Sequence, residues 1–365
     1  MKFFARLSCL AALANAAVVD LAKRESPLDV QLEMVGNSEV KASITNTGDE
    51  ALKVLKTGSI LDSRPIEKAE IFQGADKVAF SGMRIYVRAS EAGAEDFQTI
   101  EAGETVAVQW DVAEVHDLSA GGAFDIAATG YFKYASASAS ASSVTDSSIG
   151  SSLEIAGEVP YSSNVLTAQV DGASAARVRR DWHDDMEKRT AVQSDCSTSQ
   201  RSTISTAIGI CRTYASNAAT AASSGSDAKV TEYFKSATSS TRSTVSSVFS
   251  RVASECSSSS SGNSRTYCSD RASACSGGVI AYTVPASSYI VYCTSWFSLP
   301  AQTSTCHGDD RPYVIVHEST HLSQVGGTDD FSCYGYSCVR SLSASQNLRH
   351  ADTYAQFANA IAVGC

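Results

Sequence analysis

The stretch Val314-Ile315-Val316-His317-Glu318-Ser319-Thr320-His321 decides how this chain is read. It predicts a helix through residues 313–322. Four residues advance a helix by about 400°, so the imidazoles of His317 and His321 point the same way, one turn apart, close enough to share one ion. Glu318 lies about 100° around from His317. It therefore faces the same cavity without competing for the metal, as a general base for zinc-bound water must. The plainer alternative is two core histidines on an apolar helix face.

A catalytic zinc takes three protein ligands and keeps a fourth position open. No Glu follows Glu318, which excludes a third-ligand Glu from a later helix. Gln324 and Gly327 stand where a Gly and a His would be needed three and six residues past the second His. The candidates left are Asp329, Asp330, Asp352 and His350.

The 365 residues, 43% of them hydrophobic, are enough for two compact domains. The chain begins with Lys2, an apolar run over residues 3–14 and then Ala14-Asn15-Ala16, the order of a secretory signal cleaved after Ala16. No other segment approaches the roughly 18 apolar residues of a membrane span. Of 11 cysteines, one lies in that leader and the rest follow residue 195, which argues for a disulfide-stapled domain folded in an oxidising compartment. Residues 190–365 hold 11 basic and 11 acidic side chains, so the whole net charge of −10 lies before them. Neither half offers a basic patch for nucleic acid.

Short alternating runs between Asp29 and Phe132, among them Val30-Gln31-Leu32-Glu33-Met34 and Thr105-Val106-Ala107-Val108, predict a small antiparallel β-sandwich without cysteines. A Ser/Ala linker follows over residues 135–148. Lys188-Arg189 sits where composition, charge and cysteine usage all change, as expected of an exposed processing site. Beyond it, residues 207–222, 227–236 and 241–257 read as packed helices, with Val245, Val248, Phe249 and Val252 at helical spacing. Residues 278–284 and 289–292 read as two strands joined by a turn, and residues 345–362 as a last helix.

Gly327-Thr328-Asp329-Asp330, followed by Tyr334-Gly335, resembles the GTxD...YG signature of the deuterolysin, or aspzincin, metallopeptidases. The run from Ala351 to Ala360, the terminal Gly364-Cys365 and the dibasic boundary at Lys188-Arg189 are similar to the fungal members called neutral protease 2. The resemblance implies an α+β chain in which a mainly helical, zincin-like catalytic domain with a small β-sheet or hairpin occupies residues 190–365. A signal peptide over 1–16 and a β-rich propeptide over 17–189 would precede it.

Carried over position by position, the likeness makes Asp330 the third zinc ligand beside His317 and His321, with Asp329 a solvated neighbour. Glu318 is then the base, and Tyr334 steadies the oxyanion. Three residues separate Asp330 from Tyr334 where many relatives have two. Asp352 would line a pocket for basic residues, without strict lysine selectivity because Ala355 stands where selective relatives carry Glu; support of the site from a helix is its alternative role. His307 and His350 are expected to be structural or surface histidines. The resemblance also suggests the disulfides Cys196–Cys268, Cys275–Cys293 and Cys306–Cys365. That leaves Cys211 with Cys256 on neighbouring helices, and Cys333 with Cys338 restraining the longer loop. The expected protein is a secreted monomer with one zinc ion, acting on proteins or peptides. Its propeptide and a processing protease would be its other partners.

Overall fold

The computed structural model describes residues 26–135, 154–187, 195–257 and 264–365. The signal segment 1–16, most of the Ser/Ala linker and Lys188-Arg189 lie outside them.

The amino-terminal half carries the strands β1 (Leu28–Met34), β2 (Glu39–Asn46), β3 (Leu52–Leu55), β4 (Glu70–Gln73), β5 (Asp76–Lys77) and β6 (Arg84–Val87). They are followed by β7 (Phe97–Ile100), β8 (Thr105–Asp111), β9 (Gly122–Ala127), β10 (Thr129–Ala135), β11 (Ile155–Ser162), β12 (Leu166–Val170) and the helix α1 (Gly172–Glu187). Alternation decides which face is buried: on β2, Val40, Ala42 and Ile44 are fully buried while Lys41, Ser43 and Thr45 between them are not. The strands form three small sheets, β1-β2-β8, β11-β10-β3-β7 and β12-β9-β4-β5, rather than the two of a sandwich. Val30, Ile44, Phe124, Ile126 and Phe132 make a common core between them.

The carboxy-terminal half is built on α2 (Thr198–Ser224), α3 (Asp227–Phe234) and α4 (Ser239–Glu255). Ser197 and Gln200 close a capping box at the start of α2. Ala207, Ala215, Ala218 and Ala222 are buried on one stripe of α2, and their small side chains let α4 lie close, with Val245, Val248, Phe249 and Val252 filling the seam. Three short strands follow, β13 (Arg265–Tyr267), β14 (Val279–Val284) and β15 (Tyr289–Tyr292), then α5 (Arg311–His321), α6 (Gly335–Ser341), α7 (Ala344–Asn347) and α8 (Ala351–Val363). The architecture is mixed α+β.

Two further features depart from the sequence reading. The helix expected over residues 345–362 is broken, because the Asp329 amide donates to the Arg349 carbonyl (2.6 Å) and the Ala351 amide donates to the Asp329 carbonyl (3.0 Å). Backbone groups spent on that bridge cannot serve a helical ladder. The sheet of the carboxy-terminal half, moreover, has four strands in the order β13-β15-β14-β6, and its edge strand β6 comes from the amino-terminal half.

All ten cysteines after residue 195 are paired: Cys196–Cys268, Cys211–Cys256, Cys275–Cys293, Cys306–Cys365 and Cys333–Cys338.

Candidate metal centre

Helix α5 is buried on every side from Pro312 to His321, held between α2, α8, β14 and β6. Asp310 caps it by accepting the Tyr313 amide at 2.7 Å, and Pro312 occupies its first turn, where a missing N–H costs nothing. The helix stops at His321. The chain then turns back through Gly327, at φ +56°, so that the Thr328 amide reaches the Thr320 carbonyl and Asp330 is delivered to the imidazoles.

His317 Nε2 and His321 Nε2 lie 3.1 Å apart, and each is 3.2 Å from Asp330 Oδ1. His321 Nδ1 is 2.9 Å from the Thr328 carbonyl. A carbonyl only accepts, so Nδ1 carries the proton and Nε2 presents a lone pair. Asp330 Oδ1 is buried and receives no hydrogen bond. A lone pair and a carboxylate oxygen turned on one another in a dry site call for a cation between them. Ligand atoms about 2.0–2.1 Å from a tetrahedral zinc would sit about 3.3 Å apart, so this set fits a zinc ion. The groups in place already favour positive charge: burial alone would depress the His317 imidazole, but Asp330 and Asp352 outweigh it and push it up to about 10. Asp330 is held well below the usual carboxylate range by both histidines, against the opposing effect of burial. Among the described residues two further groups could gather around an ion, Cys306-His307-Cys365 and Cys333-Cys338-His350, but their cysteines are spent in disulfides.

Glu318 is fully buried, and its Oε2 accepts the Thr283 hydroxyl at 2.6 Å, while Oε1 has no hydrogen-bond partner. Burial pushes its carboxyl up to about 6. Asp352 also has no exposed surface. Its carboxylate accepts the Tyr313 hydroxyl and the Gly335 amide, and Oδ1 lies 3.5 Å from His317 Nδ1.

Tyr334 sets its ring 6.0 Å from that of His317, and its hydroxyl donates to the Ile85 carbonyl on β6 at 2.6 Å. Asp329 is not the solvated neighbour expected. It is 7% exposed and pairs with Arg84 at 2.7 Å and Arg349 at 2.9 Å. Arg84 in turn meets Glu67 at 2.6 Å. His350 is buried, with Nε2 3.1 Å from the Cys333 carbonyl and Nδ1 2.9 Å from the Thr353 hydroxyl. His307 stacks on Tyr336 with ring centroids 3.9 Å apart. Thr283, Tyr313, Tyr86 and Arg84 all touch the site and were missed in the sequence, because nothing local to them marks a residue whose partner lies on another element.

The pattern that defines the deuterolysin metalloprotease family matches residues 1–365. The chain belongs to that family. It is 49% identical to a neutral protease 2 homolog of Colletotrichum graminicola over 367 residues and 49% identical to one of Pyricularia oryzae over 366, with all of both chains covered each time. A neutral protease 2 homolog of Aspergillus oryzae is 40% identical over 371 residues, again with all of both chains covered. Among solved structures, a zinc peptidase from Grifola frondosa is 23% identical with a TM-score of 0.38, covering 45% of this chain and 97% of that one. A deuterolysin-family metalloprotease hydrolyses peptide bonds. Among the described residues no helix is long and apolar enough to cross a membrane.

Proposed function

We propose that this deuterolysin-family chain is a secreted zinc endopeptidase made as a latent precursor, with His317, His321 and Asp330 as ligands, Glu318 as general base and Tyr334 as oxyanion donor. The observation that carries it is the triangle of His317 Nε2, His321 Nε2 and Asp330 Oδ1, each within 3.2 Å of the others. One zinc ion held there would supply a Lewis acid and lower the pKa of water toward about 7.

The chain's own residues do the rest. Glu318, with Oε1 unengaged and its carboxyl raised to about 6, takes a proton from the attacking water and passes it to the leaving amine. Thr283 holds that carboxylate in one orientation. Tyr334 gives its hydroxyl to the developing oxyanion once the Ile85 carbonyl has left it. Asp352 fixes His317 from behind, as carboxylates do for ligand histidines. We place it there rather than in a pocket for basic residues; a preference for basic substrates would have to draw on other carboxylates.

Residues 1–16 act as signal and 17–189 as propeptide, removed after Lys188-Arg189. The confinement of every disulfide among the described residues to positions beyond 195 supports that boundary. Proteins and peptides are the substrates and the mature enzyme is a monomer. The test is metal analysis of purified protein alongside casein hydrolysis. Equimolar zinc, with hydrolysis lost to a chelator and restored by zinc, is expected; active protein free of metal would end the proposal.

A further inference from the structure

Strand β6 pairs antiparallel with β14, setting Val87 opposite Val279, Tyr86 opposite Ala281, Ile85 opposite Tyr282 and Arg84 opposite Thr283. Thr283 is the residue bonded to Glu318, so β6 runs directly alongside the proposed catalytic base. Each of its first three residues engages the site. Arg84 binds Asp329, the neighbour of the ligand Asp330, at 2.7 Å. The Ile85 carbonyl accepts the Tyr334 hydroxyl at 2.6 Å. The Tyr86 ring meets the His317 ring edge-on with centroids 4.7 Å apart, and its hydroxyl donates to Asp309 at 2.8 Å. Tyr86 is 4% exposed and belongs to the core of the carboxy-terminal half, not to that of its own half.

The rest of the sheet explains why this edge can be borrowed. In the order β13-β15-β14-β6, only β6 comes from outside the carboxy-terminal half. Without it, one side of β14 would present unpaired N–H and C=O groups, a template for any extended peptide. The contacts are charged and hydrogen-bonded as well as apolar: Glu67, Arg84, Lys77, Asp329 and Arg349 form one ion-pair network across the two halves. A segment held by buried ion pairs and by backbone pairing is fixed in register rather than loosely adsorbed.

We propose that β6 is the inhibitory segment of this precursor: it lies along β14 as an extended peptide across the metal-binding face, withholds Tyr334 and covers His317, and must leave before a substrate is cut. The proposal rests on reading residues 17–189 as a propeptide and the carboxy-terminal half as a peptidase.

The test compares three zinc-loaded proteins, each made as the full chain. They are the chain kept uncut by Lys188→Ala and Arg189→Ala, the same uncut chain also carrying Arg84→Ala and Tyr86→Ala, and the parent chain after cleavage. Hydrolysis of a fluorogenic peptide and amide hydrogen exchange over residues 279–284 are read on each. The uncut parent should hydrolyse at least about 10-fold more slowly than the cut chain, and the double variant should recover about 10-fold while its β14 amides exchange faster. An uncut parent as active as the cut chain, or a double variant with freed β14 amides and no gain in hydrolysis, overturns the proposal. If the double variant is not secreted folded, a synthetic peptide of residues 80–91 decides. It should inhibit the cut chain by raising KM at unchanged kcat, and no inhibition at about 1 mM counts against the strand. Absence of hydrolysis in every form, the cut chain included, overturns the peptidase reading instead.

Discussion

Thr283, in the middle of a sheet, donates its hydroxyl to Glu318 Oε2 at 2.6 Å across 35 residues of sequence, and both side chains are fully buried. The bond leaves Oε1 as the carboxylate oxygen without a hydrogen-bond partner. Thr283→Val keeps the shape and removes the donor, so kcat should fall by about 10-fold or more with zinc content unchanged. Steady-state kinetics with metal analysis checks this; loss of zinc in step with activity would show a structural role instead.

Glu318→Gln should keep equimolar zinc and lose about 10²–10⁴ in kcat, because the amide cannot take the proton. Ordinary activity in the Glu318→Gln variant would remove Glu318 from the mechanism.

Asp352 faces His317 Nδ1 at 3.5 Å and anchors the Gly335 amide beside Tyr334. Asp352→Asn should weaken zinc binding about 10–100-fold, read by competition with a chromogenic chelator. If the side chain instead lined a pocket for basic residues, zinc affinity would stay put and only KM for basic peptides would move.

Cys211 on α2 and Cys256, the residue just after α4, close a loop of sequence separation 45 beneath the alanine seam. Replacing both by Ala should cost about 2–4 kcal/mol and lower Tm by about 5–15 °C. Calorimetry of the purified protein measures it, and an unchanged Tm would mean that helix packing alone holds the seam.

The amino-terminal half should weaken in acid. His116 is 2% exposed, its Nδ1 lacks a hydrogen-bond partner, and burial pushes its imidazole down to about 4. The unfolded chain therefore binds a proton below about 6.5 that the folded chain refuses until about 4, and stability falls as pH drops through that window. The full loss is about 3 kcal/mol. His116→Phe should flatten the denaturation midpoint between pH 6.5 and 4; an unaltered slope would point to other groups.

What the sequence alone determined is the local part of the site. A period of 3.6 residues brings His317 and His321 onto one helix face regardless of what surrounds them, and the short apolar runs of β14 and β15 and the apolar spacing on α4 are equally local. The family signature marked Asp330, although Asp329 beside it has the same chemistry. Only the chain reversal at Gly327 and the ion pairs that claim Asp329 separate the two. The tertiary structure alone decided the partners of Glu318 and Tyr334, the break before α8 and the crossing of β6 into the other half's sheet. Tyr334 and Ile85 lie 249 residues apart, and nothing in either segment's own pattern encodes which sheet edge will accept it. Helical periodicity is written into neighbouring residues, whereas strand pairing is a choice among edges that only the folded surroundings make.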